Sequence, residues 1–248
     1  METETKIETN KFSIPMAIIV AGILIAGAVL LKGSQPAGIP VSDGGKATTL
    51  APVGKDDRTL GDKKAKVALV IYEDFQCPFC GAISGLVSDS SAIEYLKKID
   101  PSWTPFMSEV INNYVKNNKV LLVYRDFAFL GPESVRAAEA AWCAGDQGKF
   151  WEYHDYLYSH QDGENQGNFS DPKLKSFAKT LGLNSIFDQC LDDGKYSQAV
   201  ANSKNEGAGA GVTGTPKGFI LKDGKIVSTI EGAESFTRVK QKLDSALK

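Results

Sequence analysis

The segment from Tyr72 to Ser84 reads YEDFQCPFCGAIS and places Cys77 and Cys80 on either side of Pro78 and Phe79. Two thiols at this spacing can exchange with a disulfide or supply half of a metal site. If a helix begins at the pair, the first sulfur meets unpaired backbone N–H groups and the positive end of the helix dipole. Both favour the thiolate, the reactive form of cysteine. One helical turn then brings the second sulfur beneath the first. Cys77 is the expected nucleophile, exposed, and Cys80 the resolving partner one turn inward. Pro78 suits a first turn, where its missing N–H is no loss. A zinc site needs a second close pair of ligands. The remaining cysteines, Cys143 and Cys190, stand alone, and the only histidines are His154 and His160. Those histidines lie among Trp151, Tyr153, Tyr156 and Tyr158 and read as helix packing or surface. No metal is expected.

The elements that must position the pair follow from periodicity. KVALVIYEDF, Lys66 to Phe75, and KVLLVYRDF, Lys119 to Phe127, are continuous apolar runs of the kind that form strands buried on both faces. Between them, Pro105 to Asn117 reads as a helix with Phe106, Val110, Ile111, Tyr114 and Val115 as its apolar stripe. Strand, helix and strand in this order predict a right-handed crossover and parallel pairing. From Gly131 to about Gly211 the character is helical. Pro132 opens one helix, Gly145 and Gly148 separate two, and Ser170-Asp171 before Pro172 caps another. Helices are also expected at Ser185 to Leu191 and Tyr196 to Ala208. PKGFILKDGKIVSTIEG then reads as a hairpin turning at Asp223-Gly224, and ESFTRVKQKLDSALK as a closing amphipathic helix. The expected fold class is α/β, a central mixed sheet with an all-helical insertion at about 131–211.

The N-terminal region differs. Ser13 to Leu31 holds no charged residue and is flanked by Lys11 and Lys32. As a helix it would reach about 28 Å at about 1.5 Å per residue, close to the thickness of a bilayer core. A cleaved signal peptide is the alternative, but its apolar region is usually shorter, with small residues at a site beyond it. The expectation is a cytoplasmic tail at 1–12, a transmembrane anchor at 13–31, a flexible Gly-, Pro- and Ser-rich linker at 32–55 and a folded domain at 56–248. Lys6 and Lys11 before the span balance Lys32 and Lys46 after it, so the positive-inside rule does not orient it. The net charge of −2, without a basic stripe or a long like-charge run, gives no reason to expect nucleic acid as a partner.

Several spaced motifs, LGDKKAKVALVIYEDFQCPFC, VYRDF, AAEAAWCA, KFWEYHDYLYSHQ and GVTGTPKGFIL, resemble the DsbA-type thioredoxin-fold disulfide oxidoreductases, in their membrane-tethered bacterial (BdbD-like) branch. The resemblance runs from about Lys55 to the C-terminus. It implies a thioredoxin-like fold, no cofactor, and Cys77 and Cys80 as the redox pair around the turn Pro78-Phe79. It also implies a cis-proline loop at Thr215-Pro216 that receives substrate backbone. Read alone, GVTGTP is equally a helix end and a turn, and X–Pro preferences do not make the bond cis. Two departures stand out. Six residues before the first cysteine, where relatives carry a buried carboxylate, stands Ile71, leaving Glu73 and Asp74 as candidate acids. An extra segment within Leu86 to Trp103 also separates the redox turn from the following helix.

Cys143 and Cys190 are expected to form a structural disulfide, with two buried free thiols or a second redox pair as alternatives. The expected activity is extracytoplasmic disulfide introduction into reduced exported proteins, with a membrane-bound partner reoxidising Cys77–Cys80. Disulfides require an oxidising compartment, so the domain is expected outside the cell membrane. A reductase or isomerase, or a non-catalytic thioredoxin-fold chaperone, are the alternatives.

Overall fold

In the computed structural model, residues 50–87 and 90–248 are described. The expected anchor at 13–31, and the expected linker as far as residue 49, lie outside the described residues. Among the described residues no helix is long and apolar enough to cross a membrane.

A five-stranded sheet runs β1 (Arg58–Leu60), β3 (Val120–Asp126), β2 (Val67–Glu73), β4 (Lys217–Lys222) and β5 (Lys225–Glu231) across its width. β2 and β3 are parallel, and the other pairings are antiparallel. Both apolar runs of the sequence are therefore strands, and they occupy the centre. Side chains alternate between the faces of a strand. Leu69, Ile71 and Leu122 accordingly enter one core with Val239 and Leu243 of the C-terminal helix α9 (Phe236–Leu247). Val70, Tyr72, Leu121 and Val123 enter the core on the opposite face. The β4–β5 turn falls at Asp223 and Gly224, both at positive φ (50° and 77°), the backbone a two-residue type I′ turn demands.

The β2–β3 crossover contains α1 (Pro78–Ser84), α2 (Ser91–Ile99) and α3 (Met107–Val110), which continues as a π turn, Ile111–Val115. A regular helix was expected over 105–117. The Lys116 N–H instead bonds the Ile111 carbonyl at 2.9 Å, five residues back, and Lys119 reaches Tyr114 in the same way. The wider turn rotates the stripe so that Tyr114 and Val115, adjacent in sequence, are both buried. Every regular element of the insertion is a helix: α4 (Pro132–Gly145), α5 (Phe150–Ser159), α6 (Asp171–Thr180), α7 (Ser185–Asp192) and α8 (Ser197–Gly209).

The boundary expected at residue 55 moves earlier. Leu50 and Val53 pack on the sheet face beside Val70 and Leu121. Arg125 donates to the carbonyls of Ala51 and Pro52, each at 3.2 Å, and Glu206 accepts from the Ala51 N–H at 2.9 Å. A buried guanidinium needs partners on all its N–H groups. This stretch, which composition alone assigns to a linker, supplies two of them. Asp57 adds a paired contact at 2.7 and 3.0 Å, and the Tyr72 hydroxyl (3.1 Å) and Glu206 (3.3 Å) complete the set. β1 and α2 have no counterpart in the sequence reading.

Candidate active site

Cys77 is the N-cap of α1 in extended conformation (φ −69°, ψ 118°), and no side chain caps the helix. Its N–H donates to the Asp74 carbonyl at 2.9 Å, and its carbonyl accepts from Gly81 at 3.1 Å. The Asp74 carboxylate, buried at the end of β2, fixes this turn. It accepts from the N–H groups of Gln76 (2.8 Å), Phe129 (2.8 Å) and Leu130 (3.1 Å), tying the Cys77–Cys80 turn to the loop after β3. From the insertion, Gln161 Nε2 donates to the carbonyls of Phe75 (2.5 Å) and Cys77 (3.1 Å). The amide lies so close that a Cβ on residue 81 would stand 2.2 Å from Gln161 Oε1. Glycine at 81 is what lets the clamp close.

On the other side of the pair the peptide bond between Thr215 and Pro216 is cis. It stands just before β4, whose first residue, Lys217, pairs with Tyr72 near the end of β2. As a thiol, Cys77 Sγ donates to the Thr215 carbonyl at 3.4 Å. Cys77 is not the exposed nucleophile the sequence reading expects. It is 5% exposed, and Cys80 is fully buried. The fold thus brings Cys77, Pro78, Phe79, Cys80, Thr215 and Pro216 together from two distant segments. The Phe79 ring meets Tyr95 of α2 edge-on at 6.1 Å, so the extra segment flanks the cysteine turn.

The two thiols are pushed in opposite directions. The Cys80 thiol, as a hydrogen-bond donor, holds Cys77 below the ordinary cysteine value. Burial works against this, while the Thr215 side chain and the backbone amides of Cys80 and Phe79 add to it. The Thr215 hydroxyl is buried and has no hydrogen-bond partner among the described residues. Burial pushes Cys80 up, reinforced by its hydrogen bond to Cys77, by charge on Cys77 and by Glu73. No cation is needed to make Cys77 acidic, although Pro78 and Phe79 supply none.

Glu73 is 2% exposed. It accepts from the Tyr158 hydroxyl at 2.9 Å and lies 3.7 Å from His154 Nε2. Burial opposes charge on His154, but the bond to Asp155 and the Glu73 carboxylate outweigh it and raise its pKa. His154 is therefore more than packing: it is the partner of a buried acid whose charge acts on Cys80. The sequence reading carried Glu73 only as a weak candidate and missed His154, Tyr158 and Gln161 as site residues. The one available signal was acids ending an otherwise apolar strand.

Cys143 and Cys190 are joined by a disulfide between α4 and α7, with Cα atoms 5.8 Å apart. They lie in the same insertion core as Cys77 and Cys80. Among the described residues no three His, Cys, Asp or Glu side chains are arranged to hold a metal ion.

Residues 54–97 and 102–244 match the thioredoxin family model. The chain is 30% identical over 177 residues to the Na(+)/H(+) antiporter NhaA 1 of Salinispora arenicola, a match covering 69% of this chain and 22% of that protein. It is 25% identical over 170 residues to a candidate protein-disulfide oxidoreductase of Rickettsia typhi, covering 68% of this chain and 56% of that protein. The chain thus spans less than two thirds of the length of either relative. Among solved structures, oxidised BdbD of Bacillus subtilis matches with a TM-score of 0.64 at 19% identity, covering 82% of this chain and 99% of that one. That likeness establishes the fold, a thioredoxin-like sheet with a helical insertion.

Proposed function

Because the chain belongs to the thioredoxin family, we propose that it is a thiol–disulfide oxidoreductase that introduces disulfides into exported proteins through Cys77 and Cys80. The observation that carries this reading is geometric: Cys77 and Cys80 stand one turn apart at the start of α1, with the Cys77 sulfur 3.4 Å from the carbonyl of the cis Thr215-Pro216 bond. A stabilised Cys77 thiolate favours the reduced pair and makes its disulfide a better oxidant.

In the oxidised pair, a substrate thiolate attacks Cys77 Sγ. The Cys77–Cys80 bond breaks as a mixed disulfide forms on Cys77, and Cys80 takes up a proton. A second substrate thiolate attacks the substrate sulfur of the mixed disulfide and expels Cys77 as the stabilised thiolate. The substrate dithiol has then lost two electrons, and the pair has gained them. The Thr215 carbonyl, beside Cys77, offers an acceptor to an extended substrate backbone, and Pro216 brings no competing donor. A membrane-bound partner returns the pair to the disulfide.

The same reading takes residues 13–31 as an uncleaved anchor, 1–12 as its cytoplasmic tail and the domain as extracytoplasmic. The charge-free stretch and the Cys143–Cys190 disulfide support it. The relation to the antiporter covers a fifth of that protein and contributes the domain family, not transport.

Equilibration of the protein with glutathione reads the potential of the pair. A value on the oxidising side, nearer about −120 mV than about −270 mV, is expected, and one near about −270 mV would make the protein a reductase instead. In parallel, Cys77→Ser should abolish oxidative refolding of a reduced client. Retained refolding would point to a chaperone without turnover.

A further inference from the structure

The end of the sheet away from the redox pair carries a separate feature. Lys55, Lys63, Lys64, Lys66 and Lys225 line one open groove of about 920 Å³. All five are exposed, and none is ion-paired to a carboxylate among the described residues. Asp223 is the one acid on its lining. In a chain of net charge −2 this is a local excess of positive charge. The floor is apolar, built from Leu50, Val53, Leu121 and Leu221. At the rim Ile226 of β5 is 36% exposed. The groove opens before β2, and the redox turn follows it, a separation of about 20 Å at about 3.3 Å per residue.

We propose that this groove is a binding face for the anionic headgroups of a phospholipid surface, which holds the redox pair on the side turned away from the bilayer. Unpaired lysines around an apolar floor match a ligand that carries phosphate and hydrocarbon side by side. No aromatic side chain lines the groove, so it lacks the stacking platform that single-stranded nucleic acid uses. Leu50, the first described residue, lies in the groove itself, downstream of the apolar stretch 13–31. The inference rests on the anchor for how the face meets lipid, and not on the redox chemistry.

The test uses the full chain in nanodiscs of phosphatidylcholine, with and without phosphatidylglycerol. Acylation of single lysines is followed by mass spectrometry, with exposed Lys173 and Lys204 as references. The five groove lysines should react about fivefold more slowly in the anionic discs alone. High salt should restore them, because it shortens the range of the attraction. The references should not change. The variant carrying Lys63→Glu and Lys64→Glu should lose the protection and keep Cys77-dependent refolding. Equal rates in both discs would overturn the proposal, as would protection by added polyglutamate or DNA in place of the anionic lipid. If the chain does not enter discs, the anchor reading fails. Flotation with phosphatidylglycerol vesicles, abolished by the double variant, then decides the groove by itself.

Discussion

At Cys80, burial and a neighbouring carboxylate act in the same direction. The thiol is fully enclosed, and Glu73 adds negative charge that opposes a second one on sulfur. Glu73→Gln removes that charge and leaves an acceptor for the Tyr158 hydroxyl. In a Cys77→Ala background, Cys80 should then be alkylated at lower pH than with Glu73 present. An unchanged profile would mean that the carboxylate does not reach the sulfur. Asp126 lies opposite Glu73 on β3, and burial raises it to about 6, although Trp142 donates to it at 2.6 Å. Its folded pKa is above the unfolded value of about 3.9, so the protonated acid is the form the fold prefers. Its contribution to stability is full below about pH 4 and is lost as pH rises through about 6. Asp126→Asn should therefore stabilise the protein by about 2–3 kcal/mol at neutral pH and by little at pH 4. A gain that does not vary with pH would disprove this origin.

Among the elements, the segment 50–60 shows where sequence patterning stops being informative. The buried strands announce themselves through continuous apolar runs, and the hairpin through Asp223-Gly224, because those signals are local. β1 is three residues long, and its strand character comes from pairing with β3, a partner more than sixty positions away. Residues 50–55 look like linker because, apart from Leu50 and Val53, their attachment is made by backbone groups, which every sequence possesses. What holds them is Arg125, itself an unremarkable residue in an apolar strand. The cysteine pair was legible in the same local way, whereas Thr215-Pro216 stood out only through the family resemblance, because X–Pro preferences do not make a bond cis. Gln161 was not legible, since a glutamine at a helix end carries no mark of the turn it grips. Arg125→Ala tests the attachment. It leaves Asp57, Glu206 and the Tyr72 hydroxyl without their shared cation. Breaking a mostly buried network should cost about 3 kcal/mol in urea unfolding, and proteases should cut near residues 50–57. The potential of the Cys77–Cys80 pair should stay the same.

In the whole domain the redox pair sits on the seam between the sheet and the insertion. Cys77 and Cys80 belong to the insertion core, and the Phe79 side chain packs against both that core and the one under α9. Gln161, Tyr158 and His154 also reach the site from the insertion. Its integrity therefore sets the geometry of the thiols, and the Cys143–Cys190 disulfide acts on that integrity. It joins residues 47 positions apart. Closing a loop of that size in the unfolded chain contributes about 4 kcal/mol in the chain-entropy model. Both sulfurs are buried, so replacing the pair by alanine leaves the site apolar and mainly removes the constraint. The Cys143→Ala, Cys190→Ala variant should lose about 4 kcal/mol of unfolding free energy. Well below its Tm the native geometry is retained, so the Cys77–Cys80 potential and client refolding should match those of the parent protein. A shifted potential in the folded variant would instead make the second disulfide part of the redox machinery. An unchanged unfolding midpoint would show that packing alone holds α4 to α7.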